Sequence, residues 1–168
     1  FGFFKGRFSQ VTNPPLARNE EQVYMSTETF VGAMPSIEQV LAGAKSRTLP
    51  PANGFFFASP VVDNVQMALL AAHKPFNAAV IDITYDLATY ETGLLLAIDR
   101  VRNACIEAVQ QRASQLIVLS DLTTSERRAA IPAVLICAIV DKHMREAGVR
   151  RRACIALQAG AVLSGVHV

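Results

Sequence analysis

Apolar residues follow two different rhythms along this chain, and the changes of rhythm predict its elements. From Ala78 to Thr84 they form a compact run rich in β-branched side chains, as in a buried strand. From Glu91 to Ala113 they recur at helical spacing, with Leu94, Ile98, Val101, Cys105 and Val109 on one face and Asp99, Asn103, Glu107 and Gln111 opposite. Gln115 to Ser120 predicts a second buried strand. Ile131 to Ala147 predicts a second helix, with Pro132 in its first turn, where a missing N–H costs nothing, and Gly148 closing it. The first two turns of that helix are apolar all round, so its beginning is expected to be wholly buried. Arg152 to Gln158 predicts a third strand.

Strand, helix, strand, helix, strand is the sequence form of consecutive right-handed crossovers. The predicted fold class is therefore α/β: a parallel sheet with flanking helices built from consecutive βαβ units. The strands are near-continuous apolar runs, which fits burial on both sides. The first half reads differently. Asn13-Pro14-Pro15, Pro35, Pro50-Pro51 and Asn53-Gly54 punctuate an irregular, Pro-rich stretch. Within it a short helix is predicted from Ser36 to Lys45, with Ser36 as N-cap and Gln39 as its box partner. Pro60 to about Ala72 reads as another helix, with Val61, Val65, Leu69 and Ala72 at helical spacing. Phe55-Phe56-Phe57 between them is either a strand or a packing plug. The expected organisation is a single domain over 1–168, with 1–54 an irregular wrapping segment and 55–168 the α/β core.

Composition narrows the picture. The 168 residues are 51% hydrophobic and only 18% charged, which points to surface normally covered by other domains of a longer polypeptide. The opening Phe1 suggests a fragment or excised domain. A formal net charge of +2 offers no broad field for nucleic acid or an anionic membrane. The longest apolar run, Ala129 to Val140, is too short to span a bilayer, and no signal peptide is visible. Cys105, Cys137 and Cys154 are far apart in apolar stretches, which argues against a disulfide framework or metal site and for a reducing compartment.

Candidate chemistry is sparse. Ligands of open parallel sheets bind beyond the strand carboxyl ends, which here carry Tyr85-Asp86, Ser120-Asp121 with Thr123 and Thr124, and Gln158 to Gly160. Ser120 and Asp121 could hold a ribose or a metal; after a strand, such residues more often cap the turn into the next helix. No glycine-rich phosphate loop follows any strand. His73, His143 and His167 form no ligand or nucleophile pattern, and His143 suits the cationic last turns of a helix. Arg150-Arg151-Arg152 could touch a phosphate but reads better as a solvated turn between helix and strand, open to contact with an acidic neighbour, and Glu126-Arg127-Arg128 reads as an exposed loop.

Gln10-Val11-Thr12-Asn13-Pro14-Pro15 resembles a signature of the glutamate synthase central domain. Glu21, Val23-Tyr24-Met25-Ser26 and Glu28-Thr29-Phe30-Val31-Gly32 follow at matching positions. Ser59-Pro60-Val61-Val62, Ala79-Val80-Ile81-Asp82-Ile83-Thr84, Gly93-Leu94 with Ala97 to Arg100, Leu119-Ser120-Asp121, Ile131-Pro132 and Gly148-Val149-Arg150 are similar to later family segments, in order and at consistent spacing. Departures fall on polar positions. Ala17-Arg18 replaces an Asp-Pro, Glu20 an arginine, and Gln158 a glutamate. A His-rich helix keeps only His143 beside Asp141 and Lys142, and Val166-His167 replaces a histidine pair. The apolar framework is retained.

The resemblance implies a division of labour. The parent enzyme makes two glutamates from glutamine and 2-oxoglutarate. An N-terminal amidotransferase domain releases ammonia, and a later barrel with FMN and an iron–sulfur cluster reduces the ammonia adduct. The central domain joins these partners and helps wall an ammonia passage. This chain is thus expected to hold no catalytic, cofactor-binding or metal-binding residue of its own, and to be inactive alone. Gln10, Thr12, Asn13, Pro14, Pro15, Ser120, Asp121, His143 and His167 are structural or interface candidates. The family implies a cytoplasmic location, or a plastid in a photosynthetic eukaryote. The alternative is a free-standing homologue binding a small molecule around Ser120 and Asp121.

Overall fold

The computed structural model describes residues 27–46 and 54–160. Its centre is a three-stranded parallel sheet of β3 (Ala79–Asp82), β5 (Leu116–Ser120) and β7 (Cys154–Gln158), ordered β3-β5-β7. Ala79 is in register with Ile117 and Ile155, and Ile81 with Leu119 and Leu157. The crossovers are helices α3 (Tyr90–Gln110) and α4 (Ala133–Glu146). Right-handed crossovers that advance the same way along a sheet put their helices on one face. Accordingly, Val101, Cys105, Ile136, Val140 and Met144 pack with Ile81, Ile117 and Leu119 in one buried cluster. All five residues of β5 are buried, as its unbroken apolar run requires.

The opposite face is covered in part by an antiparallel pair, β1 (Thr29–Gly32) with β2 (Gly54–Phe57), and by α2 (Asn64–Ala72). Met67, Leu70 and Phe76 cover Leu116 and Val118 there, with Val31 and Phe57 at the margin. Phe76 also meets Phe55 and His73 edge to face, at centroid distances of 5.6 and 4.9 Å. The Phe55-Phe56-Phe57 stretch is therefore a strand. β1 lies within the stretch read as irregular, and helix α1 (Ile37–Ser46) follows it as predicted. Arg151 ties this region to the core: its Nη2 donates to the Pro35 carbonyl and its own carbonyl accepts from the Met34 N–H.

Several elements differ from expectation. α2 begins at Asn64 because Asp63 caps it: its carboxylate accepts from the Gln66 N–H (2.7 Å) and the Gln66 amide oxygen accepts from the Asp63 N–H (2.9 Å). Its buried residues are Met67 and Leu70, while Val61, Val65 and Leu69 of the predicted stripe are exposed. α3 stops at Gln110, because Ala113 takes a left-handed φ of 53° that a helix cannot contain. Val134 and Leu135 are exposed, so the start of α4 is only half buried, around Ala133 and Ile136. Gly148 ends α4 at a φ of +69°, as a C-terminal glycine should. Arg150–Arg152 form a 3-10 turn, so β7 starts at Cys154.

The first apolar run splits in two. β3 ends at Asp82 and β4 (Thr84–Asp86) leaves the sheet to pair antiparallel with β6 (Arg128–Ala130). The Asp82 carboxylate accepts from the Thr84 N–H two residues on (2.9 Å), a side-chain turn that ends the strand. Arg128 therefore belongs to a strand rather than an exposed loop. Among the described residues, no helix is long and apolar enough to cross a membrane.

Candidate functional site

Register brings Asp82, Ser120 and Gln158 side by side at the carboxyl ends of the three parallel strands. The Ser120 hydroxyl donates to the Gln158 side-chain oxygen (3.2 Å) and accepts from the Leu122 N–H (3.4 Å). The Asp121 carboxylate accepts from the Gly160 N–H (2.9 Å), and its carbonyl accepts from both the N–H and the hydroxyl of Thr124. Ser120 and Asp121 thus shape the turn after β5 and tie it to the end of β7. Asp121 and Gln158 also line a cavity of about 670 Å³ whose apolar walls include Val31, Phe57, Met67 and Leu70.

The densest polar cluster centres on Asp82 and was not singled out in the sequence. One carboxylate oxygen accepts from the Thr84 N–H, the Thr84 hydroxyl (2.8 Å) and the Thr123 hydroxyl (2.7 Å). The other takes Nη2 of Arg128 at 2.6 Å. Arg128 Nε donates to the wholly buried Thr84 hydroxyl (2.9 Å), while Arg100 Nη2 holds the carbonyls of Asp82 (3.1 Å) and Thr84 (2.8 Å). Burial would raise the Asp82 pKa, but the hydrogen bonds from Thr123 and Thr84 and the charge of Arg128 outweigh it and hold the carboxyl below its ordinary value. The cluster clamps the β4–β6 ribbon onto the end of the sheet. A sequence signal existed: an Asp two residues before a Thr at the end of an apolar run marks a side-chain turn.

A second ionic cluster joins α4 to the turn before β7, where Asp141 accepts from both Arg145 and Arg150. The hydrogen bond from Arg150 holds its carboxyl low; burial opposes this, and Arg145 reinforces it. Both carboxylates have a depressed folded pKa, so each stabilises the fold above its unfolded pKa, near 3.8, and that contribution is lost as pH falls through the lower folded value. The urea midpoint is accordingly expected to drop on acidification below about that pH, and a double Asp82→Asn, Asp141→Asn variant to show a flatter acid limb. An equally steep limb in the variant would refute this assignment.

His143 lies in the last turns of α4 with Nδ1 3.9 Å from the Glu146 carboxylate. Tyr85 and Asp86 lie in β4 and line a separate depression on the α3 side. Gln10, Thr12, Asn13, Pro14, Pro15 and His167, with Ala17, Arg18, Glu20 and Val166, lie outside the described residues. Cys105, Cys137 and Cys154 sit on α3, α4 and β7. Burial pushes the Cys105 thiol up to about 12. Among the described residues no three His, Cys, Asp or Glu side chains are grouped so as to hold a metal ion.

The glutamate synthase central domain family matches residues 1–168. The large chain of the NADPH glutamate synthase of Azospirillum brasilense is 30% identical over 148 residues, covering 88% of this chain. The corresponding chain of Bacillus subtilis is 29% identical over 162 residues, covering 95%. The chloroplastic ferredoxin-dependent glutamate synthase of Spinacia oleracea is 31% identical over 153 residues, covering 89%. The match takes up only 9%, 10% and 9% of those three relatives. A likeness that runs the full length of this chain and a small part of each relative is that of one domain among several, and the chain belongs to the glutamate synthase central domain family.

Proposed function

We propose that this chain is the non-catalytic connecting domain of a glutamate synthase, positioning the amidotransferase and FMN domains and helping to wall the passage for ammonia between them. The observation that carries this reading is the full-length family match against a tenth or less of each relative's length. The surface supports it. Ile37, Val61, Val65, Leu69, Val80, Leu95, Leu96 and Leu122 are each more than 60% exposed, an apolar area that adjoining domains would take out of water. The buried parallel sheet supplies stiffness, and the polar clamp at Asp82 holds its carboxyl end. FMN and the iron–sulfur cluster belong, on this reading, to the neighbouring domains.

A geometric role makes a specific expectation. In the long polypeptide that carries this chain, Asp82→Ala should leave glutamine hydrolysis running while glutamate formation from 2-oxoglutarate falls, with free ammonia appearing in the medium. The 168-residue chain alone should turn over neither substrate. Intact coupling in the variant, or turnover of glutamine or 2-oxoglutarate by the isolated chain, would overturn the proposal.

A further inference from the structure

Among the described residues β7 has a neighbouring strand, β5, on one side only, so its other side is an open edge. Its Cys154 N–H donates to the Gln115 carbonyl (2.9 Å), and its Gln158 carbonyl accepts from the Asp121 N–H (3.1 Å). Cys154, Ala156 and Gln158 therefore turn their backbone groups towards β5, and Ile155 and Leu157 turn theirs outward. The outward groups have no backbone partner among the described residues; the Cys154 thiol, 3.7 Å from the Ile155 carbonyl, is a weak contact. Natural edges are guarded by a charge, a proline, a bulge or a covering element. β7 reads Cys-Ile-Ala-Leu-Gln and pairs one to one with β5, so it has no charge, proline or bulge. The edge of β3 is different: Arg100 holds the outward carbonyl of Asp82 (3.1 Å), and the chain turns off into β4.

The cavity of about 670 Å³ runs along this bare edge. A cavity over the face of a sheet meets every second residue, but this one is lined by every residue from Cys154 to Gly160. Ile155 and Leu157 belong to the layer of α3 and α4, Cys154 and Ala156 to the layer of α2. The lining accordingly reaches Cys137 of α4 on one side and Val31, Phe57 and Met67 on the other. The edge selects what fills it. An apolar small molecule would cover the outward N–H and C=O groups of Ile155 and Leu157 and leave them unpaired, which is costly. An extended backbone, with matching groups every two residues (about 6.7 Å), pairs them and sends its side chains alternately into the two apolar layers. Among the described residues lining the cavity, Asp121 alone is charged, and one of its carboxylate oxygens is held by the Gly160 N–H. Charge complementarity therefore places a basic residue at that end. We infer that the outer edge of β7 takes up an extended apolar strand with a basic residue facing Asp121, supplied by the longer polypeptide that carries this chain. The strand's source rests on the connecting-domain reading, but its binding is measured without turnover, so either can fail alone.

The probe is a short blocked peptide of alternating valine and threonine with a lysine at each end, titrated into the 168-residue chain and followed by NMR amide exchange. Exchange at Ile155 and Leu157 is expected to slow saturably, while Val80, on the outer edge of β3, is unaffected. N-methylation of the peptide's central backbone nitrogens keeps its side chains and should abolish the effect, a comparison that needs no variant of the protein. Replacing both lysines by glutamate should weaken binding about tenfold, and Asp121→Asn should remove that difference. Ile155→Pro deletes one outward N–H while leaving the bonds to β5, and should weaken binding about tenfold. Equal binding of the methylated peptide, unprotected Ile155 and Leu157, or equal protection of Val80 would each overturn the inference. So would protection of Ile155 and Leu157 that grows with protein concentration in the absence of peptide, which would assign the edge to a second copy of the chain.

Discussion

Leu119→Ala is expected to destabilise the chain by about 3 kcal/mol, the largest effect of any single substitution considered. Leu119 has no exposed surface and sits in the middle strand of the sheet, facing the cluster formed with α3 and α4. Two contributions add: the transfer free energy of the lost methyl groups, and the cavity left behind because the surroundings relax only partly. Relaxation is hard here because β5 is hydrogen-bonded to β3 on one side and β7 on the other. Such a loss is a large share of the 5–15 kcal/mol, roughly, that stabilises an ordinary domain. Val80→Ala, on the edge strand at 62% exposure, is the control and should change stability by no more than about 0.5 kcal/mol. Urea denaturation monitored by circular dichroism measures both. Similar midpoints for the two variants would mean that the sheet is not the rigid core described.

Asp82→Ala should cost about 2 kcal/mol, for a different reason. Removing the carboxylate deprives the Thr84 and Thr123 hydroxyls and the Arg128 guanidinium of their shared acceptor. Thr84 is wholly buried; its hydroxyl keeps Arg128 and Thr123 as partners but loses its charged acceptor, and its backbone N–H loses the same carboxylate. Arg128 is different: its side chain is 41% exposed, and water can take the place of the lost partner. That keeps the effect below the roughly 3–5 kcal/mol of breaking a fully buried pair. A double-mutant cycle with Arg128→Met should return a coupling above about 0.5 kcal/mol. Additive effects would show that the ribbon is not clamped through this pair, and would remove the reason to expect uncoupling of ammonia transfer in the Asp82→Ala enzyme.

The βαβ core was legible because its signals are local. The strands over Ala79–Asp82, Leu116–Ser120 and Cys154–Gln158 are runs too short and too apolar for a surface helix, and the stripe through Val101, Cys105 and Val109 has no other use. The boundaries that were missed depended on single residues with special geometry. Ala113 at positive φ shortened α3, and the Asp63–Gln66 capping box moved the start of α2. The second of these was readable in the sequence.

The sequence by itself determined the fold class, the two crossover helices and, through ordered motifs from Gln10 to Arg150, the family. Tertiary structure decided which face of α2 is buried. Periodicity pointed to Val61, Val65, Leu69 and Ala72, but that helix is apolar on both sides, and contact with Leu116 and Val118 selected Met67 and Leu70 instead. It also decided that Arg128 meets Asp82, 46 residues earlier, and that Arg100 reaches the same strand end. Periodicity reports only what neighbours within a turn or two require. Ionic partners far apart in sequence become neighbours only when the end of the sheet, the ribbon and α3 are brought together in space.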